Sequence, residues 1–200
     1  QPLPLVYIER VEAVIKFDDE DVTKELCNLN KKSPELYQLF EDAVYTLFPE
    51  FTKINLNEYT LTDQEMEAAI DAEENQKLLS EEVNVNIPFK LREHIYRLFV
   101  KSEFLNQPVS MANMSTGTKR IIWLLTNAYI ANYEHTGILG VEEIETSIHP
   151  KMMKQLLEVL NEALDGASLI VSSHSPYLVQ YLKTEKLYIG VPNENGVAEF

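Results

Sequence analysis

Leu36, Leu39, Phe40, Ala43, Val44, Leu47 and Phe48 recur at intervals of three and four residues, which places them on one face of a helix. Ser33-Pro34-Glu35 supplies the start of that helix, a capping hydroxyl followed by proline at the first helical position, and Pro49 ends it. Elsewhere in the first half the period is two. Residues 5–17 read as an extended segment closed by acidic turn residues 18–21, and Ile54 and Leu56 alternate with polar neighbours in a short strand. Val83, Val85 and Ile87 alternate again, and residues 95–100 are apolar enough for a buried strand. Between these, Thr62 with Glu65 forms a capping box stapled by Leu61 and Met66, so an acidic helix follows to about Leu79.

From residue 115 the order becomes helix, strand, helix, strand, helix, strand. Ser115 caps a helix to about Tyr133, and residues 137–141 form a short apolar strand. Pro150 opens a helix that Gly166 closes, with Met153, Leu156, Leu157, Leu160 and Leu164 on one face. Residues 168–172 form a second strand, 176–182 a short helix and 187–191 a third strand, which residues 193–196 turn back. Such alternation predicts an α/β fold of parallel strands with covering helices. Ligands in such sheets sit beyond the carboxyl ends of the strands, so the residues just after each strand carry the candidate chemistry.

Composition changes the picture in three places. Two hundred residues with 45% hydrophobic and 24% charged side chains is an ordinary globular make-up, enough for one domain or one lobe of a larger one. The longest mostly apolar stretch, 121–131, falls far short of a membrane span of ~20 residues, and the first four residues begin nothing like a signal peptide. The single cysteine, Cys27, has no internal disulfide partner, which fits a reducing cytoplasm. The net charge of −15 is uneven: residues 1–104 hold 11 basic and 22 acidic residues, and the window 58–82 holds nine acids against Lys77 alone. That run is a solvated helix face or a docking surface for a basic partner; without clustered Lys and Arg it binds no nucleic acid unaided. All six glycines lie at 117 and beyond, and no G-x-x-x-x-G-K-[ST] phosphate loop occurs anywhere.

Three segments carry candidate chemistry. After Val141 the chain reads Glu142-Glu143-Ile144-Glu145-Thr146-Ser147-Ile148-His149-Pro150. Two carboxylates leaving a buried strand are costly there unless a cation or a proton-transfer role rewards them. Successive strand residues face opposite ways, so one acid can reach a hydrated Mg2+ while the other polarises a water. Next, Ser172-Ser173-His174-Ser175-Pro176 puts an imidazole just past the following strand, able to hydrogen-bond a phosphoryl oxygen. Third, Met114-Ser115-Thr116-Gly117-Thr118-Lys119-Arg120 opens a helix whose free N–H groups and dipole suit an anion. Each also has a plain alternative: a solvated strand end, a surface histidine, a simple Ser cap.

Taken together, these segments resemble the back half of an ABC-type ATPase head, and most nearly the bacterial AAA-like ATPases related to SMC and OLD (overcoming lysogenisation defect) proteins. Residues 114–118 resemble the signature motif, 138–143 the Walker B strand, 146–150 the D-loop with its His-Pro ending, and His174 the switch histidine. The likeness covers about residues 105–191. It implies a P-loop NTPase-like lobe over 105–200, preceded by an α+β insertion or arm over 1–104. In such heads two subunits sandwich two ATP molecules. The resemblance therefore implies that Ser115, Thr116, Gly117 and Thr118 contact nucleotide in trans, and that Glu142 holds Mg2+ through its water shell. It further implies that Glu143 orients the attacking water, that His174 senses the γ-phosphate, and that Thr146, Ser147 and His149 form the D-loop at the dimer.

Two departures stand out: Glu142 replaces the usual first Walker B aspartate, and Gly140 interrupts the strand. The P-loop lobe is absent from these 200 residues, which, with a first residue other than Met, leads us to expect a truncated or split protein whose chain alone hydrolyses ATP hardly at all. The expected partners are a second head in a homodimer or higher oligomer, the P-loop lobe, and a nuclease or other effector, with no membrane. Two other classes remain open at this level: a regulatory or scaffold domain that kept the ATPase fold, and a metal-dependent hydrolase built on Glu142, Glu143, Glu145 and His149.

Overall fold

Asp18 caps the first helix, and Asp19, Glu20 and Asp21 lie in that helix where a turn was expected. In the computed structural model, which describes residues 17–60, 94–182, 187–192 and 198–199, α1 runs Asp19–Lys32. The Asp18 carboxylate accepts from the N–H groups of Glu20 at 2.9 Å and Asp21 at 3.1 Å. Acids in the first turn and Lys31 and Lys32 in the last both suit the helix dipole, which is why the acidic cluster starts a helix where the sequence suggested a turn. Its inner face, Val22, Leu26, Cys27 and Leu29, is buried. The expected strand over 5–16, the capping box at Thr62 and the alternation at 83–87 lie outside the described residues.

The chain divides into two compact units. The first holds α1 and a three-stranded antiparallel sheet of β1 (Phe51–Thr60), β2 (His94–Ser102) and β3 (Val109–Ser110), with β2 in the middle. The short strand expected around Ile54 is ten residues long. β2 is buried on one face only: Leu98, Val100 and Ser102 point inward while Arg97 and Lys101 face water, the alternation of an antiparallel sheet with one solvated side. α1 packs on β2 from the covered side. Glu58 gathers a polar cluster: Lys31 Nζ at 2.5 Å, the Tyr96 hydroxyl at 3.2 Å and His94 Nδ1 at 3.7 Å. Hydrogen bonding by Lys31 outweighs desolvation and holds the Glu58 carboxyl below its ordinary range.

In the second unit, residues 38–49 of α2 (Pro34–Leu47) and its exit join Ser115–Phe200. α3 (Thr116–Tyr133) buries every residue from 121 to 129 and packs on α4 (Pro150–Ala163), which contributes Met153, Leu156, Val159 and Leu160. Its buried polar residues pair internally: the Thr126 hydroxyl donates to the Ile122 carbonyl and the Asn127 amide to the Trp123 carbonyl, both at 2.8 Å. Phe40 is fully buried and meets Tyr129 edge-on, ring centroids 6.1 Å apart, while the Tyr129 hydroxyl donates to the Leu39 carbonyl at 2.9 Å. β4 (Ile138–Val141) and β5 (Ser168–Val171) pair in parallel through α4, Ile138 against Ser168 to Val141 against Val171. Leu139 and Val141 point into the core. A short helix α5 (Pro176–Val179) follows β5.

One expected strand is corrected. Residues 187–190 form no strand, and Tyr188 and Ile189 are exposed; instead β6 (Val191–Pro192) pairs antiparallel with β7 (Ala198–Glu199). An apolar run becomes a strand only where a ladder partner and a buried face are available, and among the described residues 187–190 pair with no strand. Among the described residues no helix is long and apolar enough to cross a membrane.

Two outcomes follow from this packing. Phe40→Ala leaves a cavity beside Tyr129 and lowers unfolding free energy by about 3–5 kcal/mol in denaturant titration. Because the Glu58 carboxyl is depressed in the folded state, its stabilisation is present above its ordinary value of 4.5 and is lost as pH falls below it. Thermal unfolding of Glu58→Gln followed from pH 7 to pH 3 therefore declines less steeply with acid than the unsubstituted chain.

Candidate functional site at the carboxyl ends of the parallel strands

The β4–β5 ladder continues past both strands into the loops that carry the candidate residues. Ser172 N–H donates to the Val141 carbonyl at 3.0 Å, Ile144 N–H to the Ser172 carbonyl at 3.4 Å, and Glu143 N–H to Ser172 Oγ at 3.3 Å. Ile144 is fully buried and roots the turn, and Glu142 and Glu143 before it are exposed. Glu143 has φ 45° and Ser147 φ 63°, left-handed conformations that side chains other than glycine adopt at a cost. Two i to i+3 bonds hold the strained turn: Thr146 N–H to the Glu143 carbonyl at 2.9 Å and Ile148 N–H to the Glu145 carbonyl at 3.0 Å. The Thr146 hydroxyl also donates to Glu143 Oε2 at 3.2 Å, orienting that carboxylate.

His149 is the N-cap of α4. Its Nδ1 accepts from Lys151 N–H at 3.2 Å, and Pro150 takes the first helical position, where no N–H is needed. The His-Pro pair thus ends the turn and starts the helix in two residues.

At α3 the Ser115 side chain accepts from Thr118 N–H at 3.1 Å and lies 2.8 Å from the Thr118 hydroxyl. Ser115 and Thr116 are exposed, and Gly117 and Thr118 are half-buried. Gly117 has a geometric role that spacing did not reveal. A Cβ there would lie 2.4 Å from the Ser147 carbonyl oxygen, so the helix mouth and the 142–149 turn touch through a backbone contact that only glycine permits. Arg120 donates from Nη2 to the Glu142 carbonyl at 3.1 Å and stacks 4.5 Å from the Trp123 ring centroid. Desolvation lowers its guanidinium and the Glu143 charge opposes that shift.

His174 leaves β5 on the same rim, exposed, with its N–H donating to Glu145 Oε1 at 3.0 Å. Glu145 is the residue the sequence undervalued. Burial pushes its carboxyl up, but its own backbone N–H, the Ser173 hydroxyl and the N–H groups of His174 and Ser175 outweigh that and hold it below the usual range. Its spacing from the acid pair, one buried residue beyond Glu143, was the available signal. The three candidate segments are therefore neighbours in one unit: 142–149 bonded to 172–174, bonded by Arg120 to α3, and in contact with Gly117. Among the described residues no group of three or more His, Cys, Asp or Glu side chains is arranged to hold a metal ion, so the multi-ligand hydrolase site is not found there. A lone exposed acid such as Glu142 fits Mg2+ held mainly by water and phosphate.

Gly117→Ala tests the backbone contact. At an unobstructed helical position the change stabilises by about 0.5–1 kcal/mol; against the Ser147 carbonyl it instead destabilises by about 1–3 kcal/mol, read as a lowered midpoint of thermal unfolding.

Comparison with known proteins agrees with this arrangement at the level of fold. A chain from a structural study of the ATP-driven dimerisation and DNA-stimulated activation of SMC ATPases superposes with a TM-score of 0.54 at 11% identity, covering 87% of this chain and 86% of that one. A chain from the complex of the SmcHead with the C-winged helix domain of ScpA gives a TM-score of 0.47 at 10% identity, covering 82% of this chain and 42% of that one. No curated protein matches the sequence. Residues 46–180, two-thirds of the chain, match the family described as "AAA domain, putative AbiEii toxin, Type IV TA system". With its parallel α/β arrangement and the fold of an SMC ATPase head, the chain belongs to this AAA domain family and is an ATPase-type nucleotide-binding domain of P-loop NTPase-like fold.

Proposed function

We propose that residues 105–200 are the signature, Walker B and switch-histidine lobe of an ATPase head, that residues 1–104 are its insertion or arm, and that the head dimerises when it binds ATP. The observation that carries this reading is the convergence of Glu143, His174 and the Ser115–Gly117 helix mouth on one rim beyond the parallel strands, linked by hydrogen bonds from the Glu143 and His174 N–H groups to the Ser172 and Glu145 side chains and by the close approach of Gly117 to the Ser147 carbonyl. Glu143 orients the attacking water from a carboxylate already fixed by Thr146. His174 stabilises charge growing on the γ-phosphate, and the N–H groups at the start of α3, with Ser115 and Thr118, face nucleotide held by the partner head. Glu142 holds the water shell of Mg2+, which supplies neutralisation of the phosphate charge when bound. Thr146, Ser147 and His149 form the segment that crosses the dimer.

The phosphate loop comes from sequence outside these 200 residues, which contain no such motif. Supporting this is the outward face of the parallel pair, where Gly140 is exposed beside Ile170 at 58% exposure. Parallel sheets are ordinarily covered on both faces, so a further lobe suits this one. That same lack of a phosphate loop favours a second reading, a regulatory domain that retains the fold without turnover.

The two readings separate in the complete protein. Glu143→Gln keeps ATP binding, lowers turnover by about 10²-fold or more and accumulates the closed dimer in size-exclusion chromatography with ATP. Undiminished hydrolysis removes Glu143 from catalysis, and no nucleotide-dependent change at all selects the regulatory reading.

A further inference from the structure

We infer that Glu145 is a positioning residue that fixes the main chain at His174 against the 142–149 turn and so sets the distance between the imidazole and the acid pair. The inference rests on the ATPase reading for its catalytic consequence, but its geometry stands without it.

Regular pairing between β4 and β5 ends at Val141 and Val171. Beyond that point the backbone at Glu143 turns left-handed, and among the described residues no main-chain acceptor continues the ladder past Ser172. The Glu145 carboxylate takes over that role, reaching back to accept His174 N–H at 3.0 Å. A side chain thus substitutes for the next rung of the sheet. Next to it, Ser175 N–H bonds locally to Ser173 Oγ at 2.9 Å, and Ser175 begins the four-residue α5 without a side-chain cap bond. The other end of the clamp is firm, because the turn is rooted by Ile144 and tied by Ile148 N–H to the Glu145 carbonyl. An ionised acceptor makes the bond short and strong relative to a neutral one, in keeping with the depressed carboxyl.

Hydrogen–deuterium exchange and ATP turnover in the complete protein test this together. In the unsubstituted protein the His174 amide exchanges about tenfold or more slower than an unstructured amide; exchange at the unstructured rate overturns the clamp without recourse to any variant. Glu145→Ala accelerates exchange across 172–176 by about tenfold while α3 stays protected, whereas Glu145→Gln, which keeps a carbonyl acceptor, stays within about threefold. Turnover follows: kcat falls about tenfold in Glu145→Ala with KM for ATP within about twofold, and Glu145→Gln recovers most of it. Accelerated exchange with unchanged kcat, in a protein whose Glu143→Gln variant is inactive, overturns the positioning role. Accelerated exchange with Glu143→Gln fully active sustains the clamp and points the failure at the ATPase reading instead.

Discussion

A short parallel ladder organises the candidate site. Only four residues of β4 pair with four of β5, yet the register they fix carries into the loops at their carboxyl ends through Ser172, Ile144 and Glu143. Each added bond beyond the strands converts a flexible connection into a positioned one, and each satisfies a backbone group that would otherwise need water. If the ladder slipped by one residue, Leu139 and Val141 would turn outward and the acids would exchange places. Burial of those two side chains together with Ile144 at the end of β4 resists that slip.

Helices hold the ladder in place. α3 is buried along nine consecutive residues, and the two polar residues of that stretch, Thr126 and Asn127, bond its own carbonyls, so it behaves as a core helix. Asn132 donates to the Ala163 carbonyl at 2.8 Å, joining the far end of α3 to the end of α4. The near end meets the 142–149 turn through Gly117 and Arg120. A displacement of α3 along its axis would thus be felt at Glu142 and Ser147 at once. The left-handed residues Glu143 and Ser147 sit inside this network, where surrounding bonds repay their conformational cost.

Much of the second half was legible in the sequence. Ser115, Pro150 and Gly166 marked helix ends because capping chemistry is local, and the structure has Ser115 at a cap, Pro150 at the first helical position and Gly166 at φ 95°. The apolar runs at 138–141 and 168–171 became strands because they are bounded by such signals and flanked by amphipathic helices. In the first half the same reasoning failed at Asp18. An acidic cluster serves a turn and a helix start equally well, and the choice depended on whether Val22, Leu26 and Leu29 had a sheet to pack against.

By itself, then, the sequence determined the alternation of helices and strands from residue 115 to residue 179, the order of the acid pair, the histidine and the serine-led helix, and the lack of a phosphate loop. These are properties of neighbours along the chain, set by periodicity and capping. Tertiary structure alone decided that Glu145 serves the His174 backbone, that Gly117 accommodates a carbonyl thirty residues away, that Arg120 turns to Glu142, and that residues 187–190 form no strand. Each of those depends on what approaches from a distant part of the chain, and a contact between separated segments leaves no periodic trace in either.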